Sequence, residues 1–323
     1  MYFMKRLFVM LCMQVALVAT CLGQVPQDGL KTKNISDTFL LPTRSLLIKG
    51  TFNGQTALQQ LFPGRHYRLA DGKYVNEMIN WECKTAKRKQ YEDVNEDALG
   101  GFPYENGVAT RLLDVMDFKD SSGLQYKVIS FNHSEFDEDG AQVSRFTGGL
   151  LGLAKFVLTD QGWNLRMFTP AIKAYGAFSS CPTPKPLQIG VDQYAFILKH
   201  NNGPAGGPYF GAYFLIAGIN GAYQQVMAAY SVELSGGEED GMVPCTWTST
   251  YSVPASDKKY FRDIVITTTG TASASDMDHV PKGVEAFLKG KKTVKFVTER
   301  KFVYKGAAKG YEEQLPAKVS QAK

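Results

Sequence analysis

Cysteine is scarce in this chain of 323 residues, with five in all, and Cys12 and Cys21 stand within the first 23. The other three, Cys83, Cys181 and Cys245, are too few for a fold stapled by disulfides, so packing must supply the core. In an oxidising compartment one pair could form a disulfide and leave one thiol over, with all three pairings open. Histidine is also sparse: His66, His133, His200 and His279 stand far apart. There is no HExxH, CxxC or GxSxG, so the signatures of a zinc protease, a dithiol redox centre and a nucleophile elbow are missing. An excess of one charge is lacking too. The 36 Lys and Arg residues against 31 Asp and Glu give +5, and removing Lys5 and Arg6 leaves 34 against 31, or +3. That balance provides no general attraction to nucleic acid. After residue 24 no apolar run is long enough to cross a membrane as a helix.

What is present begins with MYFMKRLFVMLCMQVALVATCLGQ, in which Lys5 and Arg6 precede an apolar run from Leu7 to Ala19, small residues and Gln24. This is the order of a secretory signal and predicts cleavage near Gly23. Residues 24–323 are then expected outside the cytoplasm: in the periplasm, secreted or at the outer membrane. In the alternative, Cys21 is the lipidated residue of a lipoprotein signal.

From residue 24 onward the sequence reads as β almost throughout. Short runs rich in Val, Ile, Phe, Tyr and Thr alternate with Gly, Asn, Asp and Pro, the pattern of antiparallel strands and turns. Such runs lie at 66–75, 126–132, 152–168, 193–200, 212–227, 261–270 and 293–305. Short helices are expected at Thr56–Phe62, Ala228–Leu234 and Gly283–Leu288. Hairpins recur as YRLADGKYV, FVLTDQGWNLRMF, FLIAGINGAYQQV and FVYKGAAKGYEE, each a turn containing glycine followed by an aromatic. With the strand FRDIVITTTG, these units resemble the blade repeats of secreted bacterial FG-GAP-type β-propeller proteins over about Tyr126 to Glu313. The resemblance implies a disc of small sheets used for binding rather than catalysis. The residues alone leave two further architectures open, a β-sandwich or two β domains. A division, if there is one, falls at Cys181-Pro182-Thr183-Pro184-Lys185-Pro186, where three prolines interrupt ladder hydrogen bonding.

Three stretches carry candidate sites. In NHSEFDEDGAQ the acids Glu135, Asp137 and Asp139 alternate before Gly140, as oxygen ligands do in the first half of a calcium loop. The twelfth position is Phe146 rather than an acid, and the flanks read as strands, which favours a solvated hairpin tip over bound calcium. No cofactor is expected otherwise. A second acidic turn, Glu238, Glu239, Asp240 and Gly241, spaces its acids no better. In HNNGPAGGPYFGAYF, Asn201 and Asn202 could hydrogen-bond a ligand while Tyr209, Phe210 and Tyr213 offer rings for stacking, as sugar-binding surfaces do. The bland reading returns those rings to the core. The lysine-rich end, Lys282 to Lys309, suits a strand with one wet face or an anionic partner.

Cys181 with one of the histidines could form a nucleophilic pair in space, although a disulfide or buried thiol is commoner in a secreted β protein, and Trp81, Trp163 and Trp247 read as core. The expectation is therefore a non-catalytic binding protein of the cell envelope whose partner is a glycan or an envelope protein. Its rivals are a secreted glycan hydrolase, whose paired carboxylates leave no short motif, and a structural assembly protein.

Overall fold

The turns fix the register of the strands. Asn220 and Gly221, between the paired residues Ile219 and Ala222, take φ of 52° and 83°. Positive φ at both central residues gives a two-residue loop the twist of the strands it joins. Asp160-Gln161 and Val191-Asp192 close two further two-residue hairpins. The structure is a computed structural model that describes residues 29–69, 77–95, 101–142, 145–237 and 242–322. The signal segment with Cys21, the Asp71-Gly72 turn and the Glu238–Gly241 turn lie outside those residues.

The strands form two eight-stranded sheets, antiparallel at every pairing. The first comprises β1 (Leu47–Ile48), β2 (Arg65–Arg68), β3 (Glu77–Trp81), β4 (Val108–Lys119), β5 (Gln125–Glu135), β6 (Gly149–Thr159), β7 (Gly162–Thr169) and β8 (Ala174–Tyr175). Its order is β1-β7-β6-β5-β4-β3-β2, with β8 beside β6. The second is a meander in chain order: β9 (Lys185–Gly190), β10 (Gln193–Asn202), β11 (Tyr209–Ile219), β12 (Ala222–Ser235), β13 (Thr246–Ser252), β14 (Ile264–Ser273), β15 (Thr293–Tyr304) and β16 (Tyr311–Gln321). The chain is thus all-β, antiparallel and built of repeated hairpins, and its layout is that of two β units. The proline segment 181–186 carries the chain from one sheet to the other. Pro186 sits in β9, an edge strand, where a missing N–H breaks no ladder.

Two of the expected helices form, as α1 (Gly54–Leu61) and α2 (Glu285–Leu288). Asn53 caps α1 by accepting the Thr56 N–H at 2.9 Å. The third, Ala228–Leu234, is instead part of β12. Ser231 has φ of 55° and the pairing with β11 shifts register between Gly211 and Tyr213, which marks a bulge. This bulge and a second register shift between Leu215 and Ile216, opposite Val226, change which residues turn inward, so Val226, Met227, Ala229, Val232 and Leu234 are all buried. Their spacing imitates a helical period.

Four main clusters of buried side chains hold the sheets. Ala57, Leu58, Leu61 and Phe62 seat α1 on the first sheet against Trp81, Phe131 and Phe156. Met116, Val128 and Leu153 of that sheet meet Phe196, Phe214 and Ile216 of the second. Within the second sheet, Ile197, Leu215, Val226, Ile266 and Phe302 share one cluster although their strands run from β10 to β15, which requires the sheet to curl. The curl brings Gly310 against β12, where a Cβ would stand 2.2 Å from the Val226 carbonyl oxygen. A fourth cluster packs Leu288 of α2 on Trp247 and Phe296. The three described cysteines belong to different clusters and are all free, so none of the three possible pairings is made.

Candidate functional site

The curl leaves two cavities that share Phe210 and Ser231 in their walls. The first, about 600 Å³, lies between the β10–β12 end of the second sheet and loops of the first that supply Asn95 and Phe146. The second, about 680 Å³, lies over β13–β16 and is bounded by Asp278–Gly283 from the β14–β15 connection. Both volumes fall in the range of small-ligand sites. The bulge at Ser231 builds the shared wall by placing Tyr230 in the first cavity, with the adjacent Ser231 in both.

In the first cavity the polar groups form a chain. The Asp93 carboxylate accepts from Asn95 N–H, Asn95 Nδ2 and Gly148 N–H at 2.7–2.9 Å. Asn95 Nδ2 also donates to the Gly176 carbonyl, and Asn95 Oδ1 accepts from Asn202 Nδ2 at 2.6 Å. Asn202 Oδ1 accepts the Gly203 N–H. The Gly176 N–H donates to His200 Nδ1 at 3.1 Å, which leaves the hydrogen of the neutral ring on Nε2. Burial lowers the His200 pKa, with the Asp93 charge acting the other way.

His279 lines the second cavity and pairs with the buried Asp276, which is not itself in the wall. His279 Nδ1 lies 2.6 Å from Asp276 Oδ1, while Asp276 Oδ2 accepts the Cys245 N–H at 2.7 Å. Burial pushes the Asp276 carboxyl up, but the bonds from Cys245 and His279 outweigh it and hold it below its usual range. The His279 ring rests against Phe210, centroids 5.7 Å apart. Arg300 donates to the Tyr230 carbonyl at 2.8 Å and lies 3.5 Å from Glu313. Burial lowers its pKa, with Glu313 opposing. Trp247 contributes its ring to the wall and donates Nε1–H to the Ser231 carbonyl.

Of the residues singled out in the glycine loop, Asn202 and Phe210 line the first cavity, and Phe210 also lines the second. Asn201 alternates with Asn202 along β10 and lies outside both walls. Tyr209 is partly exposed beside Gly236, and Tyr213 is buried in the core with its hydroxyl on the Ser249 carbonyl at 2.7 Å. The five therefore do not form one stacking surface, because period-two alternation divides them between faces.

The acidic stretch is a turn held by its own backbone. Asp137 Oδ1 accepts the Asp139 and Ala141 N–H groups, and the Gly140 N–H donates to the Asp137 carbonyl. Glu135 accepts from Asn106 Nδ2 at 3.0 Å. Beneath the turn, Arg111 donates to the Gly140 carbonyl, placing a cation where a calcium loop needs an oxygen. Burial lowers the Arg111 pKa to about 10, with Asp137 opposing. Among the described residues no group of three His, Cys, Asp or Glu is arranged to hold a metal. β5 leads into this turn as expected. Among the described residues the next strand after it is β6 at Gly149, and Asp139-Gly140 is not a two-residue loop between paired strands.

Cys181 donates its thiol to the Pro182 carbonyl, and burial raises its pKa, which opposes the thiolate a nucleophile needs. Cys245 is raised to about 11, chiefly by burial, with the Ser273 N–H opposing and Asp276 adding to the rise. Sequence reasoning missed His279, Tyr230, Arg300 and Leu315, whereas Trp247, read as core, is indeed buried against Phe296 and also lines the second cavity. They come from strands and loops far apart in the chain, and only the curl assembles them. No family model matches this chain, and neither a curated protein nor a solved structure matches it.

Proposed function

We propose that this chain is an exported, non-catalytic binding protein of the cell envelope that holds a small ligand in the two adjoining cavities. The observation that carries the reading is that four of the large apolar side chains exposed among the described residues line these cavities. They are Phe146, Phe210, Tyr230 and Leu315, which are 54, 42, 61 and 76% exposed. Large apolar side chains left open around a concave site mark a surface meant to be covered. Export rests on the order of charge, apolar run and polar exit in the first 24 residues.

The test is calorimetry and thermal melting against a panel of envelope glycans and lipids. At least one class should bind and raise the melting temperature, since a ligand that prefers the folded state stabilises it. Phe210→Ala should weaken that binding about tenfold, in line with the loss of an aromatic anchor. Silence across the panel, with the variant indistinguishable from the parent chain, overturns the proposal. Asp278 and Glu313 both line the second cavity and keep a glycan hydrolase as the second reading. Turnover of a panel glycan, lost in Asp278→Asn and Glu313→Gln, replaces binding with catalysis.

A further inference from the structure

Several polar groups on the cavity walls are already hydrogen-bonded within the protein. Asn202 uses both its amide nitrogen and its oxygen, Thr268 shares a hydrogen bond with Ser249, and Arg300 donates to the Tyr230 carbonyl. A glycan would meet only the Tyr230, Ser231, Asp278, Lys282 and Thr298 side chains as groups without a partner among the described residues, and each of its further hydroxyls buried unpaired costs about 1–3 kcal/mol. Carbon surface, by contrast, is plentiful: Phe210, Trp247, Leu315 and Val319 line the second cavity. Charge is balanced in that cavity, with Lys282 and Arg300 set against Asp278 and Glu313, so no ionic head is demanded.

His200 is the buried exception in the first cavity, where the exposed Tyr230 and Ser231 hydroxyls also have no partner among the described residues. Its Nδ1 is occupied by the Gly176 N–H, so Nε2 carries the hydrogen, and among the described residues nothing accepts it. A neutral imidazole fixed in this way is a hydrogen-bond donor on the wall of an otherwise carbon-rich site.

Resting on the binding reading above, we infer that the ligand is a single-chain amphiphile. Its acyl chain lies on Phe210, Trp247, Leu315 and Val319, and a carbonyl-type oxygen of its head accepts the His200 Nε2–H. The head is chosen by hydrogen bonding rather than by charge, so a fatty acid and its uncharged glycerol ester both fit, whereas an alkylammonium, which offers only donors, does not.

The experiment is calorimetry of the full chain with four probes below their aggregation concentrations: laurate, 1-lauroylglycerol, dodecylamine and maltohexaose. Laurate and lauroylglycerol should bind at least tenfold more tightly than dodecylamine. His200→Phe should abolish that preference. His200→Asn, which keeps a donor and an acceptor, should retain it. Leu315 is exposed, so Leu315→Asp tests the chain contact without disturbing the core and should weaken both lauroyl probes at least fivefold. Equal affinity for dodecylamine and laurate overturns the head assignment. Binding of maltohexaose without any alkyl probe overturns the amphiphile and leaves the binding site standing. Failure of all four probes, together with silence from the envelope panel, removes both readings.

Discussion

His133 shows how far a single buried group can make stability depend on pH. The Trp81 Nε1–H donates to the Thr110 hydroxyl, so that hydroxyl turns its own hydrogen to His133 Nδ1 at 2.7 Å. Nε2–H then donates to the Pro170 carbonyl at 2.9 Å, and the neutral ring is fully satisfied. Burial lowers its pKa to about 3, the Pro170 bond opposing, against about 6.5 in an unfolded chain. Between those values the unfolded state binds the extra proton. The stability that His133 contributes as a neutral ring is therefore complete above about pH 6.5 and declines as pH falls toward 3, by up to about 1.4 kcal/mol per unit. Urea melts at pH 7 and pH 5 should show this loss, and His133→Phe should flatten it although the variant starts less stable. Equal slopes in the two proteins would refute the assignment. His200, also lowered by burial, adds a slope of the same sign that the variant keeps. None of this was legible from the letters around His133. The surrounding β strand was, but the Thr110 and Pro170 contacts come from outside it.

At the scale of the element, β12 shows why a strand was read as a helix and why that error falls at the candidate site. The sequence pattern identified most strands, because alternation and glycine turns are local signals. A bulge is not local: it is defined against the partner strand, and its apolar residues then recur at helical spacing. Asn201 and Asn202 pose the same problem on β10, since adjacent residues look alike in sequence and face opposite ways in a sheet. The left-handed backbone at Ser231, φ 55°, predicts how the element responds to change. Glycine adopts this region freely, so Ser231→Gly should leave stability within a few tenths of a kcal/mol. A β-branched residue does not, so Ser231→Val should lose about 1–3 kcal/mol. It should also weaken ligand binding, because Ser231 stands in both cavity walls. Denaturant melts of the two variants provide the comparison, and equal stability would mean that the bulge tolerates any side chain.

For the whole molecule, the question is whether the two sheets are separate units or one cooperative body. The proline segment from Cys181 to Pro186 crosses between them, which is how a linker reads in sequence. Yet Cys181 is buried in the cluster where Phe196, Phe214 and Ile216 meet Met116, Val128 and Leu153. A contact of this kind transmits instability. Phe214 is fully buried and touches Tyr175 of the first sheet at a centroid distance of 5.2 Å. Phe214→Ala removes a large side chain from a packed interface, a change that costs about 3–5 kcal/mol. The tryptophans separate the halves, because Trp81 and Trp163 lie in the core of the first sheet and Trp247 in the second. In a Trp247→Phe background, emission reports the first sheet alone, whereas far-ultraviolet circular dichroism reports both. If the interface couples the sheets, Phe214→Ala should lower the melting temperature of the first sheet although the substitution is in the second, with both signals moving together. An unchanged tryptophan transition beside a lowered dichroism transition would show two independent domains joined at the prolines. The first cavity, which draws Asn95 and Phe146 from one sheet and Tyr230 from the other, would then be a site between domains rather than within one.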